Sequence, residues 1–289
     1  MDVVELPFEV MANPLVFPAP GGGWFVGCAA GGGLVVNNVF RALELPGVVT
    51  AGCFEEGRLL LAFAGKSGHG TLVAAAVGEI VDGKVTSWAD LAALGKAAKP
   101  VSWLTLAGPD ALLVGTRLAR EPAGRGWALH RFQKGGRLVG SAELMPSTFD
   151  GTEVMARQGA LILSTRRCFD LNLVEQPRPP LPPLLRDGQA WVQSDWQKDT
   201  GHRTTLTVDR APQDQVLLER VPNHLVDGGT FVAWSHGKKL VVRRDDGGTL
   251  KPKTQGRWVC GLAAQAGQLA ALVRGEPGTA HATSQLLLM

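Results

Sequence analysis

The chain has 289 residues, of which 45% are hydrophobic, 19% charged and 6% aromatic, and its formal net charge is +3. This composition suits a compact globular protein and argues against an intrinsically disordered chain. No apolar run approaches the ~20 residues of a membrane-spanning helix, and the first residues carry acids instead of the Lys or Arg of a secretory signal. We therefore predict a cytoplasmic protein that does not associate with membranes.

The most informative feature of the sequence is a recurring hairpin pattern. In each hairpin, two short apolar segments flank a turn rich in glycine or polar residues, as residues 23–28 and 34–39 do. Seven such hairpins begin at residues 23, 58, 111, 160, 189, 230 and 268. The first and last starts are 245 residues apart over six intervals. The mean of about 41 residues matches the length of a four-stranded propeller blade.

A further short apolar segment precedes most of the hairpins. We predict that it forms the innermost strand of each blade, where small residues such as Ala51, Gly52, Ala156 and Gly261 allow a close approach of neighbouring backbones. These innermost segments are residues 48–53, 101–106, 153–156, 224–226 and 258–262. The clearest candidates for outer strands are residues 138–142 and 215–219.

The two ends of the sequence are predicted to share one blade. The seventh hairpin finishes at residues 286–289 without an outer strand, whereas residues 3–10 form an additional strand-like segment. Pairing these two segments would leave no open edge in the last blade.

Two segments depart from the repeat. Residues 87–95 begin with Ser-x-x-Asp, continue with good helix formers and end at Gly, which predicts a short helix inserted between blades two and three. The proline-rich residues 177–183 cannot donate the hydrogen bonds of a central strand. They are predicted to form a rigid extended connector in place of an outer strand, and a docking site for a proline-recognition module is the less favoured alternative.

This arrangement resembles the seven-bladed β-propellers over nearly the whole chain, and it implies an all-β fold with a single domain spanning residues 1–289. The sequence does not combine Gly-His with Trp-Asp as WD40 repeats do, and its double glycines do not form the kelch signature. The resemblance therefore implies a fold and transfers no functional residue. Six blades, or two separate β domains, stay open as alternatives.

Catalytic motifs are incomplete throughout the sequence. Gly65 and Lys66 resemble the end of a phosphate-binding P-loop, but Leu60 stands where the motif requires glycine. The Gly-x-Gly of residues 21–23 is followed by Val26 where a third glycine is needed. The sequence contains no tyrosine, which removes the sialidase type of nucleophile. These observations favour a non-catalytic protein that needs no cofactor.

A metal-dependent hydrolase or lyase is the alternative function. Acidic residues beside the predicted innermost strands would supply oxygen ligands to a cation at the mouth of the central channel. These candidates are Glu55, Glu56, Asp110, Asp150, Glu153, Asp187 and Asp227, together with His224. Because Asp-Gly pairs are ordinary turn sequences, we favour a structural role for them and predict no metal site.

The four cysteines are predicted to be buried free thiols. Cys28, Cys53, Cys168 and Cys260 are widely separated, and each has small or apolar neighbours.

The charge distribution along the chain indicates the kind of partner. Residues 1–110 contain six Lys or Arg and ten Asp or Glu, whereas residues 111–289 contain 23 and 16. We predict a macromolecular binding platform or scaffold subunit for another protein, and a positive flank would attract an acidic partner. An ordinary solvated strand face is the favoured interpretation of the same basic residues. A nucleic acid is the second alternative partner. The predicted binding residues are Arg166, Arg167, Trp196, Lys238, Lys239, Arg243, Arg244, Lys251, Lys253 and Arg257.

Overall fold

The computed structural model describes residues 1–10, 14–66, 70–95, 98–117, 127–144, 156–158, 160–163, 167–177, 185–197, 201–210, 214–275 and 283–289. Their strands form seven four-stranded antiparallel sheets, which are the blades of a seven-bladed β-propeller. The predicted all-β class and number of blades are therefore confirmed. No helix within these ranges is long and apolar enough to cross a membrane.

The strands follow one another along the chain, blade by blade. β1 is Asp2–Glu5. Blade one contains β2 (Leu15–Pro18), β3 (Trp24–Cys28), β4 (Gly31–Val36) and β5 (Val39–Ala42). Blade two contains β6 (Val48–Glu55), β7 (Arg58–Lys66), β8 (Leu72–Val81) and β9 (Lys84–Asp90). Blade three contains β10 (Val101–Gly108), β11 (Ala111–Arg117), β12 (Trp127–Gln133) and β13 (Arg137–Leu144). Blade four contains β14 (Ala156–Gln158), β15 (Leu161–Leu163), β16 (Cys168–Asp170) and β17 (Glu175–Gln176).

The last three blades follow the same plan. Blade five contains β18 (Leu185–Asp187), β19 (Ala190–Gln197), β20 (Gly201–Val208) and β21 (Asp214–Leu218). Blade six contains β22 (His224–Asp227), β23 (Phe231–His236), β24 (Lys239–Arg244) and β25 (Thr249–Leu250). Blade seven contains β26 (Trp258–Gln265), β27 (Gln268–Arg274), β28 (Gln285–Leu288) and β1.

The hairpin pattern of the sequence corresponds to the second and third strands of each blade. The second strands begin at residues 24, 58, 111, 161, 190, 231 and 268, each within one residue of its predicted start. The predicted innermost segments are the first strands β6, β10, β14, β22 and β26, although residues 153–155 lie outside the described ranges. The predicted outer strands are β13 and β21. A Cβ atom at Gly52 would lie 2.6 Å from the Phe17 ring, which explains the small residue there.

The two ends of the chain pair as predicted. β1 lies antiparallel to β28, from Asp2 opposite Leu288 to Glu5 opposite Gln285, and the Leu6 N–H donates to the Ser284 carbonyl at 3.0 Å. The strand is shorter than the predicted segment 3–10 because Pro7 follows, and proline has no N–H to continue the ladder.

The predicted helix at residues 87–95 is wrong. Residues 87–90 belong to β9, where Ala89 lies opposite Val77 and the Trp88 side chain is buried. Only Ala92–Leu94 form a single 3-10 turn, and the Asp90 carboxylate accepts the Ala92 N–H at 2.8 Å. Completing the sheet and burying Trp88 therefore outweigh the helix propensity of this segment.

The proline-rich connector lies mostly outside the described ranges, since residues 178–184 are not among them. The outer position of blade four, which this connector was predicted to leave without a strand, is occupied by β17. The two residues of β17 precede Pro177, so the outer strand and the proline-rich segment follow one another along the chain.

The chain divides into two compact units. One comprises Val10–Asn37 and Arg41–Pro179, which contain blades two to four and most of blade one. The other comprises Met1–Glu9, Asn38–Phe40 and Pro180–Met289, which contain blades five to seven and the first half of β5. Within each unit, apolar side chains from neighbouring blades interleave. The first unit packs Leu60, Leu104, Leu106 and Phe132 together. The second packs Phe231, Val242, Leu269 and Leu287 together. The single domain spanning residues 1–289 stays a prediction.

Candidate binding groove

Two of the candidate metal ligands connect blades five and six. Asp187 ends β18 and Asp227 ends β22. The Asp227 N–H donates to Asp187 Oδ2 at 2.7 Å, and the Gln189 N–H donates to Asp227 Oδ2 at 2.7 Å. Burial raises the pKa of Asp187 above its usual value; the N–H of Asp227 opposes this change and the negative charge of Asp227 adds to it. Each aspartate therefore accepts a backbone N–H from the other blade.

Arg210 balances the charge of this pair. Its Nη2 lies 3.0 Å from Asp227 Oδ1 and 3.6 Å from Asp245 Oδ1, and its Nη1 donates to the Gly229 carbonyl. The Arg210 and Asp227 side chains are only 15% and 9% exposed. We refer to Asp187, Asp227 and Arg210 as the aspartate–arginine network.

Glu55 has a similar role between blades two and three. Its Oε1 accepts the Thr105 hydroxyl, and its Oε2 accepts the Leu106 N–H at 3.1 Å. Glu55 ends β6, whereas both donors belong to β10. The carboxylate therefore joins the first strands of two neighbouring blades.

The remaining metal candidates form no ligand set in the described part of the chain, where no three His, Cys, Asp or Glu side chains are grouped suitably for a metal ion. Glu56 and Asp110 are exposed in turns. His224 is partly buried, and burial lowers its pKa. Asp150 and Glu153 lie outside the described ranges.

A groove beside blade six contains half of the predicted binding residues. It has a volume of about 780 Å³ and lies between β21 on one side and β24, β25 and residues 251–256 on the other. We call it the blade-six groove. The predicted residues in its lining are Lys238, Lys239, Arg243, Lys251 and Lys253.

Strand alternation explains why several of these cations share one face. Lys239, Val241 and Arg243 occupy alternate positions of β24, and alternate residues of a strand point to the same side of the sheet. Trp234 and His236 lie opposite Val241 and Lys239 on β23, and they also line the groove.

The chain beyond β25 adds two more lysines to this face. Leu250 lies opposite Val242, and farther along the Thr254 hydroxyl donates to the Lys238 carbonyl at 2.7 Å. The ladder stops at Leu250 because Pro252 has no N–H to donate. Lys251 and Lys253 therefore lie in the irregular segment that follows the strand, and both line the groove.

Three lysines of the groove form no ion pair with the described part of the chain. Lys239, Lys251 and Lys253 are exposed, and among the described residues none of them has a carboxylate within 4.0 Å. Glu219 is the acidic residue in the described lining. Burial, together with the nearby charges of Arg220 and Lys239, lowers the pKa of His236 despite the opposing charge of Glu219. The lysines therefore dominate the potential of the groove at neutral pH.

The opposite wall of the groove is apolar, which the sequence analysis did not predict. Val216 and Leu218 of β21 pack with Trp234 and Val241 of blade six. Leu217, which strand alternation directs to the other face of β21, also lines the groove and is 65% exposed. Three successive apolar residues in an outer strand break the alternation expected of a half-exposed strand. That irregularity was the available signal in the sequence.

Arg244 lies on the other face of blade six. It lines an adjacent cavity of about 890 Å³, with Phe231, Val242, Leu250 and Leu269 among the apolar residues. Because successive strand residues point to opposite sides, Arg243 and Arg244 face different surfaces. The single positive flank expected from the sequence is therefore divided between two faces.

Arg257 differs from the exposed cation that the sequence led us to expect. It is only 4% exposed, its Nη1 donates to Gln255 Oε1 at 2.8 Å, and its Nε lies 3.4 Å from the Thr283 carbonyl. These contacts satisfy the guanidinium inside the fold. The structure thus places Arg257 in a supporting position beneath the surface.

The remaining predicted binding residues do not line the groove, or they lie outside the described ranges. Arg167 forms a two-pronged pair with Glu175, with Nη2–Oε2 at 2.7 Å, and donates to the Glu143 carbonyl at 2.6 Å. It thereby connects blades three and four. Trp196 belongs to β19, opposite His202, and its side chain is outside the described part, as is the whole of Arg166.

Comparisons with known proteins identify the fold alone. No protein-family model matches the sequence, and no curated protein matches it. Among solved structures, the AfRom2 CNH domain is 9% identical with a TM-score of 0.56, covering 100% of this chain and 99% of that chain. The extracellular domain of a putative one-component system from B. thetaiotaomicron is 10% identical with a TM-score of 0.54, and the match spans 98% of this chain but 39% of that one. BamB from Moraxella catarrhalis is 11% identical with a TM-score of 0.47, covering 99% and 97%.

Proposed function

We propose that this protein is a non-catalytic binding platform and that its blade-six groove receives an acidic segment of another protein. The observation that carries the proposal is the group formed by Lys239, Lys251 and Lys253, which are exposed on one face beside the apolar Leu217. A surface with several cations of one sign attracts an anionic partner and orients it during association.

An acidic protein fits the groove better than a nucleic acid does. Proteins that bind single-stranded nucleic acids without sequence preference combine a positive groove with aromatic side chains on which the bases stack. Trp234 lines this groove, but it is only 6% exposed and offers little ring surface to a base. The aliphatic residues Val216, Leu217 and Leu218 suit a polypeptide instead.

The predicted cytoplasmic location agrees with the state of the thiols. Cys28, Cys53, Cys168 and Cys260 are all free and buried, as the sequence predicted. Reduced cysteines are typical of proteins that function in a reducing compartment.

The test compares two triple variants of equal net charge. The groove variant carries Lys239→Gln, Lys251→Gln and Lys253→Gln. The control carries substitutions at three exposed lysines of blades two and three, Lys66→Gln, Lys84→Gln and Lys134→Gln. Binding of a fluorescent oligoglutamate is measured by anisotropy at low and physiological salt.

We expect the groove variant to lose about tenfold or more in affinity, because its loss of charge is local, whereas the control changes by less than about twofold. Equal losses in both variants would show that only net charge attracts the probe and would contradict the proposal. A failure of the unmodified protein to bind oligoglutamate at low salt would contradict it as well.

A further inference from the structure

The outer strand of blade five, β21, has an edge to which a partner could add a further strand. β21 is the terminal strand of its sheet and pairs on one side with β20, from Thr204 opposite Leu218 to Val208 opposite Asp214. In an antiparallel sheet, every second residue of such a strand directs its N–H and C=O groups away from its partner strand. This edge borders the blade-six groove, because Val216, Leu217 and Leu218 all line it.

Within the described residues, β21 lacks the features that protect most exposed edges. Terminal strands are commonly guarded by lysine, proline, a bulge or a covering loop. β21 instead presents Leu217, 65% exposed, between Val216 and Leu218. Its register with β20 runs without a bulge over all five residues. An apolar, regular edge of this kind is a template for a further strand.

The cations on the facing wall follow the repeat of a strand. Lys251 and Lys253 are two residues apart, as are Val241 and Arg243, with Lys239 two residues before Val241. Same-face positions of an extended chain repeat at about 6.7 Å. A strand added to β21 would also direct every second side chain to one face. Its carboxylates would then share one face, directed towards the cations that line the groove.

We propose that the acidic segment binds as an additional strand on the open edge of β21, with acidic residues at every second position directed towards Lys239, Lys251 and Lys253. This inference rests on the proposed function and specifies the conformation and sequence pattern of the partner. The length of β21 allows about five residues of the segment to pair, which corresponds to about three acidic positions.

The first experiment compares two peptides of equal composition. One alternates Glu and Thr, and the other contains the same residues as a block of Glu followed by a block of Thr. Both are labelled with fluorescein and titrated with the full-length protein. We expect the alternating peptide to bind about tenfold more tightly, because only its carboxylates share one face of a strand.

The second experiment tests for pairing along one edge. Two further versions of the alternating peptide carry backbone N-methyl groups, one on every Thr and the other on every Glu. Because the N–H groups of alternate residues point to the same side of a strand, only one of these sets can pair with β21. We expect one N-methylated peptide to lose about tenfold or more and the other to bind within about twofold of the unmethylated peptide.

The possible failures are distinguishable. If the block and alternating peptides bind equally and both depend on the groove lysines, the acidic-partner proposal stands and strand addition is overturned. Equal effects of the two N-methylation patterns would also overturn strand addition. If a single-stranded oligonucleotide of equal charge binds more tightly than every peptide, both the protein partner and the added strand are overturned.

Discussion

Two charged regions beside blades five and six differ in where their charges find partners: one pairs its charges inside the protein, and the other exposes cations to solvent. In the aspartate–arginine network, Arg210 lies 3.0 Å from Asp227, and the two aspartates accept backbone N–H groups at 2.7 Å. In the blade-six groove, Lys239, Lys251 and Lys253 are exposed on a face that also contains Arg243. Removing one partner of a buried charge pair destabilises a fold strongly, whereas exposed charges of one sign favour an external partner. The comparison separates residues that hold the blades together from residues that are available for binding.

The largest effect on stability is expected from breaking the network at its cation. Arg210→Ala would leave Asp227 buried without its counter-charge, and we expect a loss of about 3 kcal/mol in the free energy of unfolding. The control is Arg203→Ala, which removes an exposed arginine from the neighbouring β20 and should cost less than about 0.5 kcal/mol. Urea denaturation measures both values. Similar losses in the two variants would show that Arg210 contributes no more to stability than an exposed arginine does.

Substitutions at Asp187 separate the contribution of its hydrogen-bond acceptor to stability from the contribution of its charge. Asp187→Ala removes the acceptor of the Asp227 N–H and should cost about 2 kcal/mol, whereas Asp187→Asn retains an acceptor and should cost less. Because burial raises the folded-state pKa of Asp187, the protonated form favours folding. This contribution is fully present below the unfolded pKa of about 3.9 and is lost as pH rises through the folded pKa.

The stability of the unmodified protein relative to Asp187→Asn should therefore increase as pH is lowered from neutrality towards about 4. Thermal denaturation of the two proteins across this range provides the measurement. An unchanged difference between them would show that Asp187 has the same pKa in the folded and unfolded states.

Glu79 should give the free energy of unfolding a pH dependence that is opposite in sign to that of Asp187 and smaller in magnitude. Its carboxylate pairs with Arg58 through Nε–Oε1 at 2.7 Å and Nη2–Oε2 at 2.9 Å, which lowers the pKa of Glu79. The resulting stability is present above the unfolded pKa and is lost as pH falls through the lowered folded pKa. Glu79→Gln should cost about 1 kcal/mol at neutral pH and progressively less in acid. A constant cost across pH would contradict the ion pair.

The smallest effect on stability is expected in the groove. The variant with Lys239→Gln, Lys251→Gln and Lys253→Gln should change the free energy of unfolding by less than about 0.5 kcal/mol, and in the stabilising direction, because like charges are removed. Any gain should shrink as salt rises from about 0.05 to about 0.5 M, where screening weakens the repulsion. A loss of about 2 kcal/mol would instead place these lysines among the structural residues.

Helix prediction failed at a segment whose local signals were misleading. The Ser-x-x-Asp pattern of residues 87–90 is typical of a helix start, and the Asp90 carboxylate accepts the Ala92 N–H at the beginning of a 3-10 turn. The strand prevails because Trp88 and Ala89 are 2% and 1% exposed in the core of blade two. Local propensity is worth less than the burial of a tryptophan, so tertiary packing decides such a segment.

The sequence by itself determined the repeat: the hairpin starts, five of the seven first strands and the pairing of the segment 3–10 with the end of the chain follow from short apolar segments and turns. These signals are local, and a blade is assembled from segments adjacent in sequence. Only the tertiary structure decided which cations are accessible. It buries Arg257, divides Arg243 from Arg244, and brings Leu217 to the same groove as Lys239. Side-chain environment depends on register and on strands distant along the chain, and that information is absent from any short stretch of sequence.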